Sequence, residues 1–256
     1  MKKRYLRRQN LFDPHSSKPY KLSRTKVELF LECSRCFYLD RVKGLRRPGR
    51  VTYSLNNAVD LLLKREFDHY RMSGTKHPIM NQNGIDAVPY HHDEIDRWRE
   101  ALHGGLQYVD PATNLLLTGA PDDLWVDSTG GIHVVDYKAT RHLTQESLDE
   151  GSQDFYQRQL EFYSWLLVKM GFSVSTQGFF VVAESRIHRH ALDHALEFDL
   201  NLVRHKCDWS WVEPLLPQIK DCLIGDLPSP SSECEYCNYI DAHDDLLTTP
   251  VQGTLL

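Results

Sequence analysis

Apolar positions along the chain change rhythm several times, and each change predicts an element. From Ser23 onward, Val27, Leu29, Phe30 and Leu31, then Cys33, Cys36, Phe37 and Leu39, recur at helical spacing. They predict a helix with Ser23 as its N-cap, stopped by Gly44 and Pro48. Leu55, Val59, Leu62, Leu63 and Phe67 repeat that period and predict a second helix over about 55–71. Between 73 and 112 no period survives, because Gly74, Pro78, Gly84, Pro89, Gly104 and Gly105 interrupt it. That stretch reads as an insertion holding one short helix near 93–102.

Two β-like runs follow, 114–126 and 132–139, separated by Asp127-Ser128-Thr129-Gly130-Gly131, and turn residues of that kind predict a hairpin. A helix from about 153 to 170 ends at Gly171, the residue type that most often closes a helix in the left-handed conformation. Residues 177–183 and 195–203 read as strands, and 208–223 as a helix containing Pro214 and Pro217. Pro228 and Pro230 lead into a cysteine-containing loop at about 228–243, and a tail follows over 244–256. Residues 1–21, with Pro14, Pro19 and few apolar side chains, read as a flexible basic arm. The length of 256 residues suits one α/β core with insertions, occupying about 22–243.

Composition narrows the setting. Hydrophobic residues at 41% and charged residues at 25% are ordinary for a soluble globular protein. No run is long and apolar enough for a membrane span, and the basic start leads into no apolar segment of a secretory signal. A cytoplasmic protein is the expectation. The net charge of -5 hides an asymmetry: residues 1–50 hold 15 Lys/Arg against 4 Asp/Glu, leaving the remainder strongly acidic. Such a basic segment suits contact with a polyanion through counterion release, or serves only as a solubilising arm. Arg41, Lys43, Arg46, Arg47 and Arg50 form a candidate phosphate track or a solvated loop.

The chemistry is concentrated in Gly119-Ala120-Pro121-Asp122-Asp123 and, beyond the turn, Val135-Asp136-Tyr137-Lys138. Side chains two apart on a strand share a face, so Asp136 and Lys138 point the same way. Asp122, on the preceding strand of the hairpin, can be brought opposite Asp136, while Asp123 points to the other face as a solvated or salt-bridged residue. Two carboxylates and an ammonium meeting at one point suit magnesium or manganese with its waters. An Asp136–Lys138 ion pair at a strand end is the plainer alternative, and a D-x-K triplet alone does not decide between them.

The neighbouring residues do more. Gly119 and Asp122 form a G-x-x-D element ahead of the D-x-K strand, and Gln159 and Tyr163 form a Q-x-x-x-Y element on the following helix. This order resembles the PD-(D/E)XK nuclease superfamily, in particular its RecB-like branch, which includes the CRISPR-associated exonuclease family. The resemblance covers roughly 22–243 with the middle insertion unmatched. It implies a restriction-endonuclease-like core, a central mixed sheet flanked by helices, and metal-dependent hydrolysis of DNA, expected to be exonucleolytic and to serve repair, recombination or CRISPR-type processing. Metal ligands would be Asp122, Asp136, the backbone carbonyl of Tyr137 and, where the branch usually has His, Asp60 on the first helix. Lys138 would assist the nucleophile, and Gln159 and Tyr163 would position the substrate strand. That His-to-Asp departure keeps open a decayed, nucleic-acid-binding or scaffolding subunit, for example beside a helicase.

Six cysteines are present, four of them in two C-x-x-C pairs: Cys33 with Cys36 and Cys234 with Cys237. Paired thiols of that spacing in a cytosolic setting point to zinc or an iron–sulfur cluster rather than disulfides. Iron–sulfur members of the RecB-like branch carry one cysteine ahead of the catalytic helix and three near the C terminus. Here His243 stands where the last of those would be, and Cys36 is an extra cysteine at the front. The implied ligand set is Cys33, Cys36, Cys234 and Cys237 with His243 in reserve, holding an iron–sulfur cluster or, alternatively, zinc. Cys207 and Cys222 read as buried apolar thiols.

Overall fold

In the computed structural model the described residues are Leu6, 9–48, 54–151, 154–188 and 190–248. The chain divides into two compact units, one built from its two ends plus 110–115 and one from 51–109 and 116–214.

The first unit begins with strand β1 (Tyr20–Ser23), then helices α1 (Arg24–Glu32) and α2 (Ser34–Arg41). The single helix expected from Ser23 is therefore two. Cys33 takes an extended conformation at φ -165° and breaks it, and Ser23 has N-cap geometry but makes no side-chain cap bond. Residues ahead of β1 are packed as well: Phe12 is buried, its N–H donates to the carbonyl of Arg41 at 2.8 Å, and its ring meets Tyr20 edge-on. Arg41 cannot belong to a phosphate track, because it is wholly buried against Asp40, which also takes Lys26. Lys43 and Arg46 remain exposed, and Arg50 lies outside the described residues.

The second unit opens with α3 (Ser54–Ser73), then α4 (Pro78–Gln82), β2 (Ala87–Pro89), α5 (Ile95–Trp98), β3 (Leu106–Asp110) and β4 (Leu115–Gly119), the last two hydrogen-bonded to each other. The supposed insertion thus carries two short helices and two strands rather than one short helix. Next come β5 (Asp123–Asp127), β6 (Ile132–Ala139), α6 (Gln145–Asp149), α7 (Asp154–Lys169), β7 (Gln177–Ser185), β8 (Phe198–Lys206) and α8 (Val212–Ile224), whose later residues belong to the first unit. The run 114–126 is two strands rather than one, parted at Ala120-Pro121-Asp122. Helix α9 (Glu235–Thr248) completes the first unit, so the expected cysteine loop is helical from Glu235 on.

Five strands form a mixed sheet in the order β2-β5-β6-β7-β8, antiparallel except for the parallel β6–β7 pair. The β5–β6 hairpin closes as its turn residues require. The Asp127 carboxylate accepts the N–H groups of Thr129 and Gly131, and Gly130 sits at φ +85°. Helix α3 buries Val59, Leu63 and Phe67 against Trp125, Val135, Tyr137, Phe179 and Val181, a core in which Phe67 and Trp125 stack. Leu55 and Leu62 are exposed, so the apolar stripe of α3 is narrower than its sequence rhythm. Helix α7 serves the opposite face of β6, where Asp136 alternates with Val135 and Tyr137. Within α7, buried Glu161 is matched by His205, the indole N–H of Trp211 and the N–H of Asp208. This is an α/β core with a mixed sheet flanked by helices, accompanied by a cysteine-bearing unit that joins N- and C-terminal segments. Among the described residues no helix is long and apolar enough to cross a membrane.

Candidate active site and cysteine centre

Strand β6 delivers two charged side chains to one face and an aromatic one to the other. Asp136 is wholly buried, and its carboxylate accepts from the ammonium of Lys138 and from Gln159 Nε2 at 2.5 Å. Gln159 Oε1 in turn faces Lys138 Nζ at 3.5 Å, and its Nε2 lies 3.5 Å from the Tyr163 hydroxyl one turn along α7. Four-residue spacing on a helix puts both motif side chains on one side. Lys138 Nζ also stands 4.9 Å from the centre of the Tyr156 ring.

Asp122 reaches this point from the break between β4 and β5. The register that pairs Asp123 with Val135 brings it alongside, and its Oδ2 accepts the backbone N–H of Tyr137 at 2.9 Å. Asp60 comes from α3. Lys64 Nζ bridges the two, 3.0 Å from Asp60 Oδ2 and 3.3 Å from Asp122 Oδ1. Asp60, Asp122, Tyr137 and Lys138 line one cavity of about 260 Å³. All six predicted side chains are therefore gathered in one unit, linked through Asp122, Asp136 and Gln159.

Crowding like charges leaves a signature. Burial pushes Asp136 up to about 7; Lys138 pulls it back and Asp122 pushes it further up. Asp60 is raised by burial and then by Asp122, with Lys64 opposing. Burial opposes the charge on Lys138, but Asp136 and Asp122 outweigh it and raise its pKa. Asp60 and Asp122 in the cavity, with buried Asp136 beside Lys138 at its wall, form a donor set of hard oxygens suited to a divalent cation. The backbone oxygen of Tyr137 belongs to the same strand segment.

Two contributors escape a sequence reading, Lys64 and the Arg71 that holds Asp123. Lys64 follows Asp60 by one helical turn, which is a signal only once Asp60 is placed in the site. Of the two readings of Asp123 the salt-bridged one holds: it is wholly buried, accepting from the Tyr137 hydroxyl at 2.7 Å, from Arg71 at 2.5 Å and from the N–H of Leu124 at 2.8 Å. Arg71 also donates to the Tyr90 carbonyl and to Asp68, which Arg99 holds in turn. Gly119 is explained by packing. A Cβ there would stand 2.5 Å and 2.7 Å from two ring carbons of Tyr163, so the glycine of one motif makes room for the tyrosine of the other.

The cysteine centre lies wholly in the first unit. Cys33 and Cys36 flank the first turn of α2, and Cys234 and Cys237 the first turn of α9. All four are buried, and their sulfur atoms lie within 4.8 Å of one another. Extended Cys33, which splits α1 from α2, is what a sequence period could not foretell. Arg47 donates to Cys234 Sγ at 3.3 Å, pairs with Glu32 and lies 4.7 Å from the Tyr236 ring centre. His243 is exposed on α9 with Asp244 at 3.0 Å and is not in the group. Cys207 is buried and Cys222 half-buried, and burial raises them to about 12 and about 11, as expected of inert thiols.

Comparison with curated proteins finds no match. The family model of the PD-(D/E)XK nuclease superfamily, by contrast, matches residues 21–242, a span that takes in the carboxylate cavity and all four clustered cysteines. By that match, the chain belongs to the PD-(D/E)XK nuclease superfamily.

Proposed function

We propose that this protein is a divalent-metal-dependent deoxyribonuclease, acting as an exonuclease in DNA repair, recombination or CRISPR-type processing. The superfamily consists of nucleases that use divalent metals, and the exonuclease assignment rests on the resemblance of the G-x-x-D, D-x-K and Q-x-x-x-Y elements to the RecB-like branch. The observation that carries the reading is the convergence of Asp122, Asp136 and Lys138 from adjacent strand segments beside Asp60.

Asp60, Asp122, Asp136 and the Tyr137 carbonyl would hold magnesium or manganese. The ion, when bound, supplies polarisation of the scissile phosphate and a water of lowered pKa. The remaining work falls to the chain. Tyr137 N–H fixes Oδ2 of Asp122, while Oδ1 faces Lys64 at 3.3 Å. Gln159 holds Oδ1 of Asp136 and keeps Lys138 beside Oδ2. Lys138 orients the attacking water and offsets the charge that develops on phosphorus oxygens as the new P–O bond forms and the ester bond breaks. Tyr163, braced against Gly119, holds Gln159 from behind and, with it, positions the substrate strand.

The test is incubation of the full chain with end-labelled single- and double-stranded DNA and magnesium or manganese. Nucleotide release should fall by about two orders of magnitude or more in Asp136→Ala and in Lys138→Ala. Equal behaviour of wild type and Asp136→Ala would leave DNA binding or scaffolding beside a helicase as the surviving role.

A further inference from the structure

The cysteine centre can be read further from its sulfur spacings, independently of the nuclease site, with which it shares no residue. Cys33 Sγ lies 3.8 Å from Cys237 Sγ, and Cys36 Sγ lies 3.6 Å from both Cys234 Sγ and Cys237 Sγ. A tetrahedron with zinc–sulfur bonds of about 2.3 Å has edges of about 3.8 Å. The three spacings match those edges, and no pair of sulfurs exceeds 4.8 Å.

Iron–sulfur clusters demand a different layout. In a four-iron cubane each thiolate binds its own iron, and bridging sulfides keep the four outward-pointing sulfurs well apart. In a two-iron cluster two thiolates share each iron, so close contacts fall into two separate pairs. Here the close contacts run continuously from Cys33 through Cys237 and Cys36 to Cys234, and cannot be divided into two distant pairs.

The protein also offsets part of the charge such a site would carry. Four thiolates around one dication carry a surplus of two negative charges, which a buried site must offset. The guanidinium of Arg47 supplies one positive charge by its bond to Cys234 Sγ, and Glu32 and the Tyr236 ring fix its orientation. A sulfur that accepts a hydrogen bond from a fixed donor is held more firmly in its ligating position.

We propose that Cys33, Cys36, Cys234 and Cys237 form a closed structural zinc site, with Arg47 as the positioning residue that offsets its charge. With all four positions filled by thiolate, the site has no opening for water or substrate. Its role is to tie the start of α2 to the start of α9, segments about two hundred residues apart in sequence.

The test is the metal content of the full chain, expressed in iron-replete medium and purified without oxygen, so that an iron–sulfur cluster would survive. About one zinc per chain, no acid-labile sulfide and no broad absorption near 400 nm are expected. Exchange with cobalt should give the visible bands of a tetrahedral tetrathiolate. A brown protein with two or four irons and matching sulfide overturns the proposal, and so does a chain that holds no metal. The role of Arg47 is read separately from the rate at which a chelator removes zinc. Arg47→Met should lose zinc on the order of tenfold faster, with Arg47→Lys in between. Loss at the wild-type rate from Arg47→Met, in a protein of unchanged circular dichroism, overturns that part.

Discussion

Lys64 stands beside two of the carboxylates that would share a divalent ion. Its ammonium is 3.0 Å from Asp60 and 3.3 Å from Asp122, the side chain is 22% exposed, and both carboxylates are in the proposed ligand set. In the ion-free protein Lys64 therefore serves as a counter-cation. A dication on the same two carboxylates would lie about 5 Å from that ammonium, a repulsion of about 2 kcal/mol even at the dielectric constant of water. The flexible four-carbon stem lets Lys64 swing outward and recover part of this, so that a net factor of about ten in affinity is expected. Replacing Lys64 with methionine keeps the stem's bulk and removes the charge. Manganese binding to Lys64→Met without DNA, followed by calorimetry or by the loss of the free-ion electron paramagnetic resonance signal, should be about tenfold tighter than to wild type. Lys64→Arg, which keeps the charge, should bind as wild type does. Equal or weaker binding by Lys64→Met would show that the ion does not share the two carboxylates with Lys64, and would remove Asp60 from the ligand set. Absence of binding by every variant, wild type included, would instead count against the metal site as a whole.

Gly119→Ala puts a methyl group into the Tyr163 ring, and the overpacking should cost about 1–3 kcal/mol in urea denaturation; a change within error would mean that the ring yields freely. Arg71→Met leaves wholly buried Asp123 without its cation, and should cost about 3–5 kcal/mol, whereas Arg71→Met with Asp123→Leu should recover much of that loss. The pH dependence of stability follows from Asp136, which burial raises to about 7 in the ion-free protein. Because its folded value exceeds the unfolded carboxylate value of about 4, its contribution to stability is complete below about pH 4 and is lost as pH rises through 7. Ion-free wild type should thus lose more in melting temperature between pH 5 and 8 than Asp136→Asn, and its gain on adding manganese should grow over the same interval; parallel curves for the two proteins would contradict the assignment.

How much of this was legible in the sequence depends on how local the cause was. Helix α3, helix α7 and the β5–β6 hairpin follow from period and turn chemistry, since their signals lie within a few residues of what they build. Asp136 and Lys138 share a strand face, and Gln159 and Tyr163 a helix face, because two and four residues are the repeats of strand and helix. The region 73–112 was opaque for the opposite reason. β2 has only three residues, ends in Pro89, and becomes a strand through pairing with β5 nearly forty residues away. Alternation puts Asp123 on the face away from Asp122, but only the packing of α3 makes that face buried, where a distant arginine makes its burial tolerable. Cys33 breaks a helix whose apolar rhythm runs straight through it. Nothing local explains that break, but an extended residue there lets Cys33 and Cys36 meet Cys234 and Cys237.

The buried Arg71–Asp123–Tyr137 network has a cost that α3 and the sheet did not have to bear for stability alone, since an apolar trio could fill the same space. Its position suggests what it is for. Tyr137 lies between Asp136 and Lys138, its N–H donates to Asp122, and its hydroxyl donates to Asp123 on the other face of the sheet. A slip of β6 by one residue would turn Tyr137 toward α7 and drive Asp136 into the cluster of Phe67, Trp125 and Phe179. An apolar residue at 137 would tolerate such a slip; a buried hydroxyl that must find one carboxylate would not, because an unpaired polar group there is costly. On this reasoning the network sets the register in which Asp122 and Asp136 face each other. Arg71→Met should then weaken manganese binding as well as stability, although Arg71 makes no contact with either carboxylate, and binding unchanged in a folded Arg71→Met protein would reduce the network to a packing feature.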